Sequence, residues 1–244
     1  MKQVDTGFDL AMTDRLLTTT RSVRRRLDLS RDVDREVLDE CMKVALQAAT
    51  GGNLQRWRWV IVRDSAKRAA IGHFYAKAFG AMLQQAASRS EASAAADDGV
   101  VIHHQKFNED IGTQARLMKS VDFLIEHMTD VPVIIVPCVI GRVDPPVTAS
   151  WISSQFGSVY PAIWNLQLAL RSRGLGSCIT AAHLEYEREV AQLLSIPYET
   201  VMQICALPVA WYTGSSFRRA ARRPMSEIVF EDVFDPASMA ATGW

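Results

Sequence analysis

Two arginine-rich stretches and one glycine-amide loop hold most of the side chains in this chain that could do chemistry. The first stretch, Thr18-Thr19-Thr20-Arg21-Ser22-Val23-Arg24-Arg25-Arg26, runs hydroxyl residues into four arginines within six positions. The second lies about two hundred residues later and sets Arg218-Arg219 and Arg222-Arg223 ahead of Pro224. Between them, Ala49-Thr50-Gly51-Gly52-Asn53-Leu54-Gln55-Arg56-Trp57 packs two glycines, two amides and an indole into nine residues. A guanidinium presents a planar fork matched to phosphate, and a hydroxyl adds a contact at small steric cost. Adjacent glycines let backbone N–H groups approach a ligand, and an amide side chain both donates and accepts. Alone, each basic cluster reads as solvated surface and the loop as a helix C-cap with a turn. Together they make a candidate site for an anionic cofactor.

Other chemistries lack their residues. No GxGxxG opens a helix after a strand and no GxxxxGK[ST] occurs, so a dinucleotide fold or P-loop is not supported. Gly174-Leu175-Gly176-Ser177 reads as a helix stop. His103-His104 reads as loop, since adjacent side chains seldom converge on one metal. No GxSxG elbow exists, and His73, His127 and His183 have no triad partner that spacing can identify. The four cysteines, Cys41, Cys138, Cys178 and Cys205, form no CxxC and read as small buried hydrophobes in a reduced, cytoplasmic setting. No catalytic side chain and no metal site is expected.

Apolar residues make up 48% of the 244 and charged ones 22%, with a net charge of zero. That is a globular composition without the basic excess of a nucleic-acid-coating protein. Met1 to Leu10 has no apolar h-region, and no run approaches the ~18 apolar residues of a membrane span. No nucleic-acid or membrane partner is expected.

The elements that must position these residues follow from periodicity. Asp9–Thr18 reads as a short helix. From Asp34, a plausible N-cap, Val37, Cys41, Val44, Ala45 and Ala48 recur at helical spacing. Trp57–Val62 reads as a strand buried on both faces, and Ser65–Gln85 as a helix with Ala69, His73, Ala76 and Gly80 near one face. No periodicity marks Ala86–Asp110, a disordered or lid-like excursion. Ile111, Ala115, Met118, Asp122, Ile125 and Met128 follow a helical period. Val131–Val139 is a β-branched run whose Pro132 and Pro137 suggest a late start and an edge or bulge. Ser158–Arg173 has a wide apolar stripe stopped by Gly174. A strand at Ser177–Ala182, a helix at Glu185–Leu194 and a strand at Val201–Ala210 complete a single α+β domain over 1–244, with a mixed sheet packed by helices and a variable lid-like excursion around 86–130.

Arg21-Ser22-Val23-Arg24, the Ala49–Trp57 loop, Asn165-Leu166-Gln167-Leu168-Ala169 with Gly174-Leu175-Gly176-Ser177, and Arg222-Arg223-Pro224-Met225 occur in the order seen in the FMN-dependent nitroreductase family. The chain resembles that family from about Thr18 to Val229, least between Phe74 and Asp130. The resemblance implies a nitroreductase-like, intertwined homodimer binding two FMN. It places the FMN phosphate and ribityl chain on Arg21, Ser22, Arg24 and Arg222. The partner subunit's loop contributes Ala49, Thr50, Gly51, Asn53, Gln55 and Trp57, and Ser158, expected at the head of its helix, lies near the flavin. Thr180, Ala181 and Ala182 would lie along the ring and offer it backbone groups. NADPH or NADH would reduce the flavin and a small-molecule acceptor, nitroaromatic or quinone, would reoxidise it in ping-pong fashion. Same-fold reductive dehalogenation, flavin destruction and non-enzymatic FMN binding stand as alternatives. Thr20, Ala49, Arg56 and Ala220 depart from the family pattern, and Arg25 or Arg219 would supply the charge lost at Thr20 and Ala220.

Overall fold

The computed structural model describes residues 7–93, 111–144 and 146–236. Helix α1 (Leu10–Thr19) opens with Asp9, whose carboxylate accepts from Met12 N at 3.0 Å. The short strand β1 (Leu27–Asp28) follows, then α2 (Arg35–Ala45). Asp34 occupies the N-cap of α2, yet its side chain makes no cap bond. Strand β2 (Trp57–Val62), helices α3 (Ser65–Ser93) and α4 (Ile111–His127) and strand β3 (Val133–Ile140) come next. Then follow α5 (Ala149–Ser172), β4 (Leu175–Ser177), α6 (Glu187–Leu194), β5 (Val201–Gln203) and β6 (Leu207–Tyr212).

The sheet has the path β1-β6-β3-β2, with β4 added on β6 and β5 on β3. Every pairing is antiparallel, so the expected mixed sheet is corrected to an antiparallel one. Residues of β3 alternate between two cores. Val133, Ile135 and Val139 join Leu38, Cys41, Ile163 and Leu166 of α2 and α5, whereas Ile134, Val136 and Cys138 join Ile71, Tyr75, Leu124 and Met128 on the α3–α4 side. The strand period of two thus builds a three-layer molecule, with helices on both faces of the sheet.

Several local expectations shift. β3 is interior rather than an edge: it pairs with β2 along its length, with β6 over Val133–Ile135 and with β5 over Cys138–Ile140. Pro137 sits between the β6 and β5 partners, where its missing N–H costs no ladder bond on that side, and its carbonyl takes Ile204 N–H at 2.9 Å. β2 is instead the strand at the end of the path and only partly buried. On α3 the buried positions among the described side chains are Ile71, Gly72, Tyr75 and Ala78, while His73 and Gly80 are exposed, because the large side chains claim the core. On α4 Leu124, outside the expected period, is buried, as is Met128 in the turn that follows, while Met118 is exposed. α3 continues to Ser93 through the first part of the aperiodic segment; residues 94–110, including His103-His104, lie outside the described residues. The expected strand Val201–Ala210 divides at Ile204–Ala206, where Ala206 bridges Thr180.

α5 starts nine residues before its expected origin and runs through Pro161. Gly157 and Pro161 mimic a helix start, since proline is at home in a first turn. Thr148 is the true cap, its hydroxyl accepting from Trp151 N at 3.2 Å. Ser158 therefore lies within the helix, not at its head.

Candidate active site

Residues from both ends of the chain line one open cleft of about 890 Å³. Arg21, Ser22, Arg24, Arg25 and Arg26 come from the segment before β1, and Ser216, Phe217, Arg218 and Arg222 from the segment after β6. The cause is the β1–β6 pairing, Leu27 opposite Tyr212, which makes both segments leave the same end of one ladder. Thr213 N–H donates to Arg26 O at 2.8 Å, and Arg21 Nη1 reaches Arg218 O at 3.4 Å. Val23 N–H donates to Ser177 O at 2.9 Å, seating the arginine segment on β4.

Among the described residues, seven arginines line the cleft and no aspartate or glutamate does. Their mutual repulsion is a standing cost that a phosphate dianion would relieve, and the Ser22 hydroxyl and guanidinium forks are the donors a phosphate takes. The residues present therefore fit the phosphate-bearing end of FMN.

Thr180, Ala181 and Ala182 are not among the residues that line the cleft, and the link between Thr180 and Arg24 runs through Tyr75. The guanidinium of Arg24 acts on both Cys178 and Tyr75, and the Tyr75 phenol, raised by burial, has a hydrogen bond with the Thr180 side chain that lowers it. Both backbone groups of Thr180 are committed to Ala206: its N–H donates at 3.0 Å and its carbonyl accepts at 2.7 Å. Both main-chain groups of Thr180 are thus engaged, and the carbonyl of exposed Ala181 accepts from Leu184 N–H at 2.9 Å, so the N–H groups of Ala181 and Ala182 remain for that role. Burial pushes the thiols of Cys41 and Cys178 up to about 11 and those of Cys138 and Cys205 up to about 12, so none supplies a thiolate at neutral pH.

The glycine-amide loop and Ser158 form a second group, apart from the cleft lining. Gly51 N–H donates to Ser158 Oγ at 3.1 Å, and Ser158 Oγ donates to Ser154 O at 2.7 Å. Gly51–Asn53 is one turn of 3₁₀ helix in which Gly52 (φ 59°) and Asn53 (φ 52°) are left-handed, as is Gln55 (φ 47°) beyond it. For a non-glycine residue that conformation costs roughly 1–2 kcal/mol. Gln55 is held in it by its own N–H to Thr50 Oγ1 at 3.2 Å and by Nε2 to Asn53 Oδ1 at 3.0 Å. Ser158 and Trp164, which lines the cleft, are six residues apart on α5, roughly 9 Å along the axis and two-thirds of a turn around it. One chain thus presents the two groups on different faces of the same helix.

Arg56 replaces the expected loop proline with a stacking contact, its guanidinium carbon lying 5.0 Å from the Trp151 ring centroid. Thr20 is buried and its hydroxyl donates to Leu16 O at 2.7 Å, ending α1 where a further arginine was looked for. Arg25 does line the cleft; Arg219 is not among the lining residues. Sequence reasoning missed Arg116 and Ser120 of α4, although their i,i+4 spacing on one helix face was a usable signal. Among the described residues no cluster of His, Cys, Asp and Glu could hold a metal, and no helix is long and apolar enough to cross a membrane.

His183 follows the Thr180–Ala182 segment and is completely buried. Neither ring nitrogen, nor Gln203 Oε1 near it, has a well-formed hydrogen bond among the described residues. Burial lowers its pKa from 6.5 to about 4, the Gln203 amide opposing this weakly. Between these values the unfolded chain binds more protons than the folded one, so stability is full above the unfolded value and is lost as pH falls through the window. Urea midpoints are expected to drop between about pH 7 and pH 5, and more steeply in the wild type than in His183→Leu. Equal slopes in the two proteins would refute this.

The match to the nitroreductase family model covers residues 17–211, and the chain belongs to that family. None of the curated proteins compared matches it. Among solved structures, an oxidised iodotyrosine deiodinase bound to FMN and 3-iodo-L-tyrosine superposes with a TM-score of 0.64 at 20% identity, covering 90% of this chain and 98% of that one. A BluB-like flavoprotein from Clostridium difficile 630 gives 0.62 at 17% identity, with 90% and 98% covered. Nitroreductase A from Vibrio parahaemolyticus RIMD 2210633 gives 0.61 at 17%, with 94% and 81% covered. These likenesses establish the common fold.

Proposed function

We propose that the chain is an FMN-dependent oxidoreductase that takes electrons from NADPH or NADH and delivers them to nitroaromatic or quinone-type acceptors. The observation that carries this reading is the arginine-rich cleft in which Arg21, Ser22, Arg24, Arg25 and Arg222 meet from opposite ends of the sequence. FMN, when bound, supplies the hydride- and electron-accepting chemistry; the protein binds, orients and shields. Arg21, Ser22, Arg25 and Arg222 hold the phosphate. Arg24, whose guanidinium acts on Cys178 two residues before Thr180, keeps positive charge where negative charge develops on reduction. The surplus arginines also draw phosphate-bearing reductants to the cleft.

A homodimer completes the site in this reading. Asn53, Gln55, Gly51 and Ser158 of one subunit face the flavin held by the arginines of the other, which accounts for two groups of site residues that do not meet within one chain. α1 buries none of its own residues although it carries Leu10, Met12 and Leu17, and Tyr160 and Trp164 of α5 are exposed. Apolar surface of that extent favours a second copy.

Anaerobic stopped-flow of the purified protein tests the reading. Its bound flavin is expected to bleach with NADPH or NADH and to recover with a nitroaromatic or a quinone, with parallel-line steady-state kinetics. A flavin that neither nucleotide reduces would leave a binding protein. Anaerobic dehalogenation, or destruction of the flavin in air, would move the chain to the other chemistries of the fold.

A further inference from the structure

After β6 the chain leaves the sheet, and Arg218 and Arg222 reach the cleft only if the segment from Thr213 is turned back and held. Arg26 does the turning: its Nε donates to Thr213 O at 2.6 Å and its Nη1 to Ser216 O at 2.8 Å. Gly214, between them, is left-handed (φ +74°), and a Cβ there would lie 2.9 Å from Arg26 Nη2. The holding falls to Phe217. The guanidinium carbons of Arg171 and Arg26 lie 3.8 and 4.1 Å from its ring centroid. Tyr212 meets the same ring edge-on at 4.9 Å, and Arg171 Nη1 donates to the Tyr212 hydroxyl.

The fastening is unusual in its charge. Neither Arg26 nor Arg171 forms an ion pair among the described residues, and Arg26 Nη2 and Arg171 Nε are buried without a hydrogen-bond partner. A carboxylate in place of the Phe217 ring would hold two guanidiniums more strongly, but it would cancel positive charge at the rim of the cleft. An aromatic face attracts the cations and leaves their charge in place.

We propose that Phe217, gripped by Arg171 and Arg26, is a positioning residue that fixes Arg218 and Arg222 at the cleft without neutralising it. This rests on the cleft being the FMN phosphate site. Arg171 is absent from the cleft wall, so its replacement removes no cofactor contact.

The test uses Arg171→Met, Phe217→Leu, their double variant, Arg171→Lys and Phe217→Tyr, each titrated with FMN by fluorescence quenching. Each of the first two is expected to weaken FMN binding about tenfold, within the range that one cation–π contact supplies between exposed and desolvated settings. The double variant should be little weaker than either single, because both break one device. Arg171→Lys and Phe217→Tyr, which keep a cation and an aromatic face, should restore most of the affinity. Amide hydrogen exchange over residues 213–224 of the flavin-free proteins should quicken in the weakened variants alone. Faster exchange with unchanged FMN affinity would overturn the positioning role, and unchanged exchange would overturn the clamp itself. A wild-type chain without FMN affinity would instead remove the cofactor reading, which the exchange data report separately.

Discussion

Replacing Arg21 and Arg222 together by alanine is expected to weaken FMN binding by about a hundredfold or more. A hydrogen bond between charged groups contributes about 1.5–3 kcal/mol, and two such losses at separate positions add approximately. Five other cleft arginines remain in the double variant, so the phosphate keeps an attractive field and the loss falls short of complete release. The fold should be spared: Arg222 is exposed, and among the described residues Arg21 makes only a long 3.4 Å hydrogen bond to Arg218 O. Arg21→Lys, which keeps the charge and loses the fork, should fall between wild type and Arg21→Ala. Flavin content after purification and fluorescence titration of the flavin-free protein measure both effects. A double variant that retains FMN as tightly as the wild type would remove the phosphate from this cleft.

The charge and donor types of that cleft were legible in the sequence because they depend on residue types alone, although each basic cluster by itself reads as solvated surface. Its assembly was not. The two basic segments meet because Leu27 stands opposite Tyr212, and a two-residue strand such as β1 leaves almost no periodic trace. Strand direction is hidden for a related reason: β-branched runs reveal burial but not polarity, so they do not separate an antiparallel sheet from a mixed one. α5 shows the opposite case, in which a local signal misleads. Gly157 and Pro161 look like a helix start, but α5 buries Gln155 and Val159 as well as Ile163 and Leu166, and tertiary packing carries the helix through the proline. The misplaced face of α3 has a comparable cause. Small residues at His73-adjacent spacing formed a regular stripe, while Ile71 and Tyr75, with more apolar area to lose from water, settled which side faces the core.

Gly176→Val is expected to lower both the stability and the FMN affinity of the protein, because one contact serves both. Gly176 lies in β4, and a Cβ there would come within 2.8 Å of Val23 Cγ1, 2.9 Å of Val23 Cβ and 3.1 Å of Leu27 Cδ2. Val23 Cβ is fixed to its backbone, so rotamer change cannot relieve the clash, and the main chain on either side of Val23 must move. That main chain carries Ser22 and Arg24 and is tied to Ser177 by the Val23 N–H bond at 2.9 Å. An alanine in a strand gains about 0.5–1 kcal/mol over glycine from the backbone. Overpacking a tight core costs about 1–3 kcal/mol, so the clash wins narrowly for alanine and clearly for valine. For a domain of this size a net loss of about 2 kcal/mol corresponds to a fall in Tm of roughly 4–8 °C. Trimming the opposing side chain supplies the internal check. Val23→Ala alone should destabilise by lost packing, whereas Val23→Ala combined with Gly176→Ala should recover part of both the Tm and the FMN affinity, giving a favourable coupling. A Gly176 variant that loses Tm yet binds FMN as the wild type does would show that the arginine segment is positioned by its Arg26–Thr213 ties rather than by its seat on β4.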